Sequence, residues 1–333
     1  MEALAAAFGM VGPVLIGVLS GQVPAGFIAA LGGLAVGGVE AGAAFSAHAR
    51  RELQALAPVL LAALLAVAAG GHGWLAELLL ILTALIAAAI GGFSRLMAVA
   101  TTRFILFLMI VSAMPAAAFD QRAGFLALIA LGALWTSMLG FAFGILARKN
   151  ALVPQQEPQQ RQATWTQKLK RWAQSMRNVD GWNYTIRLGA CLLIALAATL
   201  LWPGHHLHWI SITAALLISR KPEPTSLKTT QRTLGTAVGV VLSALVLRST
   251  LPAAVLVVAV GVLAGARPLL RNGNYLVYSA AMTPLIILII DAGRVPDSGL
   301  LVDRLIATLI GAALVVGTNL LMMRFVSDSK PIS

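Results

Sequence analysis

The chain has 333 residues, of which 59% are hydrophobic and 11% charged, with a mean hydropathy of +0.87. A water-soluble globular fold of that length cannot hide so much apolar surface and is excluded. The formal net charge of +12 does not point to nucleic acid as a partner, because the basic residues fall in loops between apolar stretches, as the positive-inside rule requires.

Twelve apolar segments are predicted in chain order. The first half holds 8–20, 24–39, 53–70, 74–91, 97–118 and 124–147, and the second holds 186–201, 208–219, 233–248, 252–266, 275–291 and 303–324. Each is predicted to be a helix, since backbone polar groups in lipid must be satisfied within the segment and the period-2 alternation of a barrel is absent. The first segment has no charged n-region and no clear cleavage site, so it is expected to stay as a span and not to be removed as a signal. The predicted fold class is therefore all-α: a polytopic membrane protein of about twelve transmembrane helices with the lipid bilayer as its surroundings.

Charge placement orients the spans. With both termini in the cytoplasm, the outer loops hold only Arg122, Arg248, Arg294 and Arg304 of the 24 Lys and Arg residues. That asymmetry supports both the number of spans and their orientation, with an even number in each half. Several segments are shorter than the ~20 residues of a straight span, most clearly around Pro13, Pro24 and Pro203. Two readings stay open for these: broken helices that frame a binding site, or short helices in a locally thinned bilayer.

Residues 148–182 form the long polar stretch. Its first part, Gln155 to Gln160, reads as flexible connector. After it, Trp165, Leu169, Trp172 and Met176 recur at helical spacing among Lys168, Lys170, Arg171 and Arg177. This pattern predicts a basic amphipathic helix lying on the inner leaflet. The domain reading is a first six-helix repeat at 1–147, a linker at 148–185, a second six-helix repeat at 186–326 and a tail at 327–333.

The two halves share a hydropathy register at an offset of 182 residues, which sets Arg50 on Arg232, Phe27 on Trp209, Phe93 on Tyr275, Thr101 on Thr283 and Arg122 on Arg304. An even span count makes the repeats parallel, related by an axis along the membrane normal. Two inner arginines (Arg50, Arg232) and two outer ones (Arg122, Arg304) are candidates for an anion path, because a guanidinium offers a planar fork of donors to a carboxylate. Ordinary snorkelling of interfacial arginines is the alternative. Thr101 and Thr283 are candidate hydroxyl donors along that path, or bond a carbonyl of their own helix. Lys228 is a further cation at the inner face.

Glu77, a little inside the outer face, is a candidate proton carrier, since an acid there is costly in lipid. Asp303 is a second candidate and is expected to pair with Arg304 or bond its helix N-terminus. His205, His206 and His208 crowd an outer turn and read as solvated interfacial histidines. Cys191, the only cysteine, leaves no disulfide or metal pattern. No Walker loop is present, so neither ATP hydrolysis nor any other enzymatic activity is expected, and no cofactor or metal. Gly235 and Gly239, four apart, are expected to permit close helix contact.

The run His208-Trp209-Ile210-Ser211-Ile212-Thr213, then Arg220-Lys221-Pro222-Glu223-Pro224-Thr225, then Gln231-Arg232-Thr233-Leu234-Gly235-Thr236 with Gly239, resembles the signature of the FUSC family, the fusaric-acid-resistance-like or aromatic acid exporter proteins. Asn274-Tyr275 before Met282-Thr283-Pro284 agrees, as does Asp303-Arg304 before Ala307-Thr308-Leu309-Ile310-Gly311. The resemblance covers most of the second half. It implies an inner-membrane exporter of organic, often aromatic, carboxylic acids driven by the proton gradient. The layout is similar to that of the plant aluminium-activated malate transporters, where six-span units pair between chains. The alternatives are a passive anion channel or a structural membrane protein without flux. The partner is a small organic anion, and monomer and homodimer both stay open.

Overall fold

The computed structural model describes residues 1–36, 45–70, 73–114, 122–148, 164–220, 227–247, 252–271, 273–290 and 298–328. They form thirteen helices: α1 (Glu2–Leu19), α2 (Val23–Ala35), α3 (Phe45–Ala69), α4 (Gly73–Ile90), α5 (Arg95–Ser112), α6 (Arg122–Arg148), α7 (Trp165–Ser175), α8 (Val179–Leu201), α9 (Trp209–Leu217), α10 (Leu227–Leu247), α11 (Ala253–Arg271), α12 (Tyr275–Ile290) and α13 (Ser298–Asp328). No strand occurs among the described residues. Eight of the helices (α1, α3, α4, α5, α6, α8, α11 and α13) are long and apolar enough to cross a membrane, while α2 and α12 are shorter apolar helices.

Several helices start before the sequence expectation: α1 at Glu2, α3 at Phe45, α8 at Val179 and α10 at Leu227, not at residues 8, 53, 186 and 233. In α8 the polar opening residues remain helical, with Asn183 and Arg187 bonded to each other at i, i+4 spacing.

The way the helices pack follows from small residues. Gly32 of α2 and Gly132 of α6 sit where a Cβ would overlap the carbonyl of Ile129 or of Ala29. The two backbones therefore touch, and dispersion between them replaces the hydrophobic drive that lipid does not supply. Within the first group, α1 packs on α2 and α6, α2 on α6, α3 on α5 and α6, and α4 on α5. Within the second, α8 packs on α9 and α13, α9 on α13, α10 on α12 and α13, and α11 on α12. The groups meet where α1 lies against α11, α4 against α8, α5 against α9, and α2 against α12. Equivalent polar contacts recur too. Thr136 of α6 donates to the Gly9 carbonyl of α1 at 3.1 Å, and Thr318 of α13 meets the Cys191 thiol of α8 at 3.7 Å.

Helix α7 has its apolar stripe as expected. Gln167 Oε1 accepts from the Thr164 backbone N–H at 3.2 Å, closing its first turn. Trp165 packs on Phe93 with ring centroids 4.8 Å apart, and Trp172 Nε1 donates to the Ala89 carbonyl at 3.1 Å. The amphipathic helix is thus fixed to the α4–α5 turn.

Candidate functional site

Two polar clusters occupy opposite ends of the bundle. The first gathers at the end of α4, the start of α5, the start of α8, the end of α9 and the end of α13. Arg187, 1% exposed, is the centre. Its Nε donates to Asn183 Oδ1 at 2.6 Å, its Nη1 to Asn319 Oδ1, and its Nη2 to the Ser219 and Arg220 carbonyls at 2.9 and 3.4 Å. Helix α9 is only nine residues long. Its end lies inside the bundle, and a guanidinium there answers the negative end of the helix dipole and the carbonyls that follow it.

Arg220 continues the cluster across the seam between the two groups. Its Nη1 donates to the Ala88 carbonyl at 3.2 Å and its Nη2 to Thr101 Oγ1 at 2.8 Å. Its guanidinium carbon lies 4.5 Å from the Tyr184 ring centroid, a cation–π contact. Ala88 belongs to the last turn of α4, whose carbonyls have no partner within the helix, so Arg220 and Trp172 together close that end.

The second cluster lies at the other end, where α8 passes through residues 202–208 into α9. Asp303, near the start of α13, accepts from the His206 backbone N–H at 2.9 Å. Its two oxygens also meet His205 Nδ1 at 2.9 Å and His206 Nδ1 at 3.3 Å. Arg304, 4% exposed, stacks on Trp209 with 3.5 Å from its guanidinium carbon to the ring centroid. Beside it, the His208 ring centroid lies 5.5 Å from that of Trp209. His208 also lines a cavity of about 60 Å³ with Glu77, Ser211, Ser112, Thr199 and Met109. That volume suits one or two waters, not an organic acid.

The arginines paired by the sequence offset are not equivalent in space. Arg232 and Arg304 are 5% and 4% exposed, whereas Arg50 and Arg122 are exposed. In the second group Arg304 is set on the Trp209 indole, beside the 202–208 connection that Asp303 holds. The Asp303 carboxylate meets the two histidines and a backbone N–H.

Thr101 donates to the Met97 carbonyl and Thr283 to that of Ser279, each one turn back. Their hydroxyl hydrogens are therefore spent within their own helices, and Thr101 serves the cluster as an acceptor for Arg220. Gly235 and Gly239 do bring α10 onto α12: a Cβ on either would press on the Leu276 or Ala280 carbonyl. The Lys228 side chain lies outside the described residues, as do Arg248 and Arg294.

Sequence reading placed Arg187 and Arg220 among ordinary inner-loop cations and passed over Asn183, Tyr184 and Asn319. One signal was present: Asn183 and Arg187 are four apart, and Asn319 interrupts an apolar run. The larger hollows, about 360 Å³ between α1, α2 and α6 and about 530 Å³ between α10, α11 and α12, have no charged lining.

An all-helical bundle with this many membrane-length helices and buried arginines is a multi-pass membrane protein. Residues 191–317, from Cys191 in α8 to Gly317 in α13, match the family described as Fusaric acid resistance protein-like. Over that stretch the chain is similar to the FUSC family. No curated protein and no solved structure matches the chain.

Proposed function

We propose that the protein is a secondary exporter of organic carboxylic acids in the bacterial inner membrane, built as two parallel six-helix units with both termini cytoplasmic. The observation that carries this reading is the burial of Arg187, Arg232 and Arg304, each no more than 5% exposed, inside a bundle of membrane helices. Charged residues are expensive there and mark the paths of ions and charged substrates. The family match over residues 191–317 supports a transport role. The recurrence of the same helix pairings in α1–α6 and α8–α13 supports the duplicated unit, and the positive-inside rule supports placing the Arg187–Arg220 end in the cytoplasm.

Proton coupling is assigned to Glu77, which lines the small cavity with His208. Asp303 is the weaker candidate because both of its oxygens are already engaged. Uphill movement requires the proton gradient to bias one of two conformations, since a carrier with equal affinity on both faces concentrates nothing.

The test is uptake of aromatic and aliphatic acids into inside-out vesicles with and without a proton gradient. Arg232→Ala is expected to abolish uptake while leaving the protein folded; unchanged uptake removes the reading. Steady current through a planar bilayer, indifferent to the gradient, would replace it with a passive anion channel.

A further inference from the structure

The Arg187–Arg220 cluster carries two positive charges that no carboxylate balances among the described residues. Every acceptor of Arg187 is a neutral amide or carbonyl oxygen. Arg220 meets one carbonyl, one hydroxyl and one phenol ring. The two are adjacent, since Arg187 donates to the carbonyl of Arg220 itself. The Nε of Arg220 is buried and has no hydrogen-bond partner. Buried cations are ordinarily paired, because desolvation costs on the order of several kcal/mol per ion when nothing offsets it. Dipoles alone hold these two, which leaves a strong local preference for a negative charge.

Position adds a second argument. Arg220 extends from the end of α9 in the second group to Ala88 of α4 and Thr101 of α5 in the first. Both of those acceptors are neutral. The donor left over, Nε, lies on the same planar fork, and Nε with Nη2 is a pair that a carboxylate accepts side by side.

We infer that the seam between α4, α5, α8 and α9 is the docking site for the carboxylate of a small organic acid. Arg220 is its direct ligand, and Arg187 is the fixed positive charge behind it. Docking exchanges the Arg220–Thr101 bond for a charge-assisted pair. Because that bond joins the two halves, occupation of the site loosens one tie across the seam. This deepens the export reading by naming where the anion is held, and it rests on that reading only for the direction of transport.

The experiment measures benzoate binding to the full chain in nanodiscs of zwitterionic lipid, by calorimetry, with chloride, inorganic phosphate and added phosphatidylglycerol as competing arms. Wild type is expected to bind benzoate and to prefer it to chloride and phosphate. Arg220→Gln is expected to weaken binding at least tenfold and Arg220→Lys by less. Thr101→Val is expected to tighten binding about threefold, since it removes the hydroxyl that competes for Nη2, and it keeps the test valid if the arginine variants do not fold. Equal benzoate affinity in wild type, Arg220→Gln and Thr101→Val overturns the inference. So does absence of benzoate binding to folded wild type, or displacement by phosphatidylglycerol alone, which would make the site a lipid seat. Arg220-dependent binding without vesicle uptake would sink the export reading and leave the site standing; uptake with unchanged KM in Arg220→Gln would do the reverse.

Discussion

The Arg220 guanidinium occupies the space in which a side chain on Gly91 would begin: a Cβ there would overlap both Arg220 Nη2 and Thr101 Oγ1. The two residues come from different halves of the chain, so the absence of a side chain at one position is what lets the other cross the seam.

Gly91→Ala is therefore expected to unseat Arg220. Overpacking of this kind costs about 1–3 kcal/mol, and the thermal unfolding midpoint in detergent should fall. A midpoint equal to wild type would show that Arg220 does not need that space.

At the opposite end, Arg304 lies 3.5 Å over the Trp209 ring. A desolvated cation–π contact contributes about 2 kcal/mol, so Trp209→Leu should lower the calorimetric midpoint more than Trp209→Phe does. Equal losses in both variants would mean that volume, not the indole face, supports the arginine.

Asp303 ties the 202–208 connection to α13 through His205, His206 and the His206 backbone N–H. Replacing it by Asn removes the charge and one acceptor oxygen, at about 1–3 kcal/mol for the polar groups left unsatisfied. Hydrogen exchange at the His206 amide should accelerate while exchange within α8 does not. An unaltered rate at that amide would rule the tie out.

Helix α7 is held to the α4–α5 turn by the Trp172 indole N–H on the Ala89 carbonyl and by Trp165 on Phe93. Trp172→Ala should raise amide exchange throughout α7 and leave α4 and α5 protected. If α7 exchanges no faster, the inner leaflet and not this contact holds it.

Much of the bundle was legible in the chain. Each of the twelve apolar segments overlaps a helix among the described residues, eight of them long and apolar enough to cross a membrane, and Trp165, Leu169 and Trp172 marked α7, because hydropathy and the 3.6-residue period are local properties. The helical state of Asn183 to Arg187 was less visible, since a polar run at a span's edge reads as loop until its partners are known. The candidate site was legible only in part. Arg232 and Arg304 stand out in the sequence and are buried, but Arg50 and Arg122, set against them by the 182-residue offset, carry the same residue type and are exposed.

Composition and periodicity determined that this chain is a helical membrane protein, and the order of residues 208–311 pointed to the family that its second half resembles. Tertiary structure alone decided which cations leave the surface. How far an arginine is withdrawn from the surface depends on what stands opposite it: an indole for buried Arg304, the end of a nine-residue helix for buried Arg187, a bare glycine for half-buried Arg220. Those partners lie 95, 32 and 129 positions away along the chain, and no local pattern encodes a contact made across such distances.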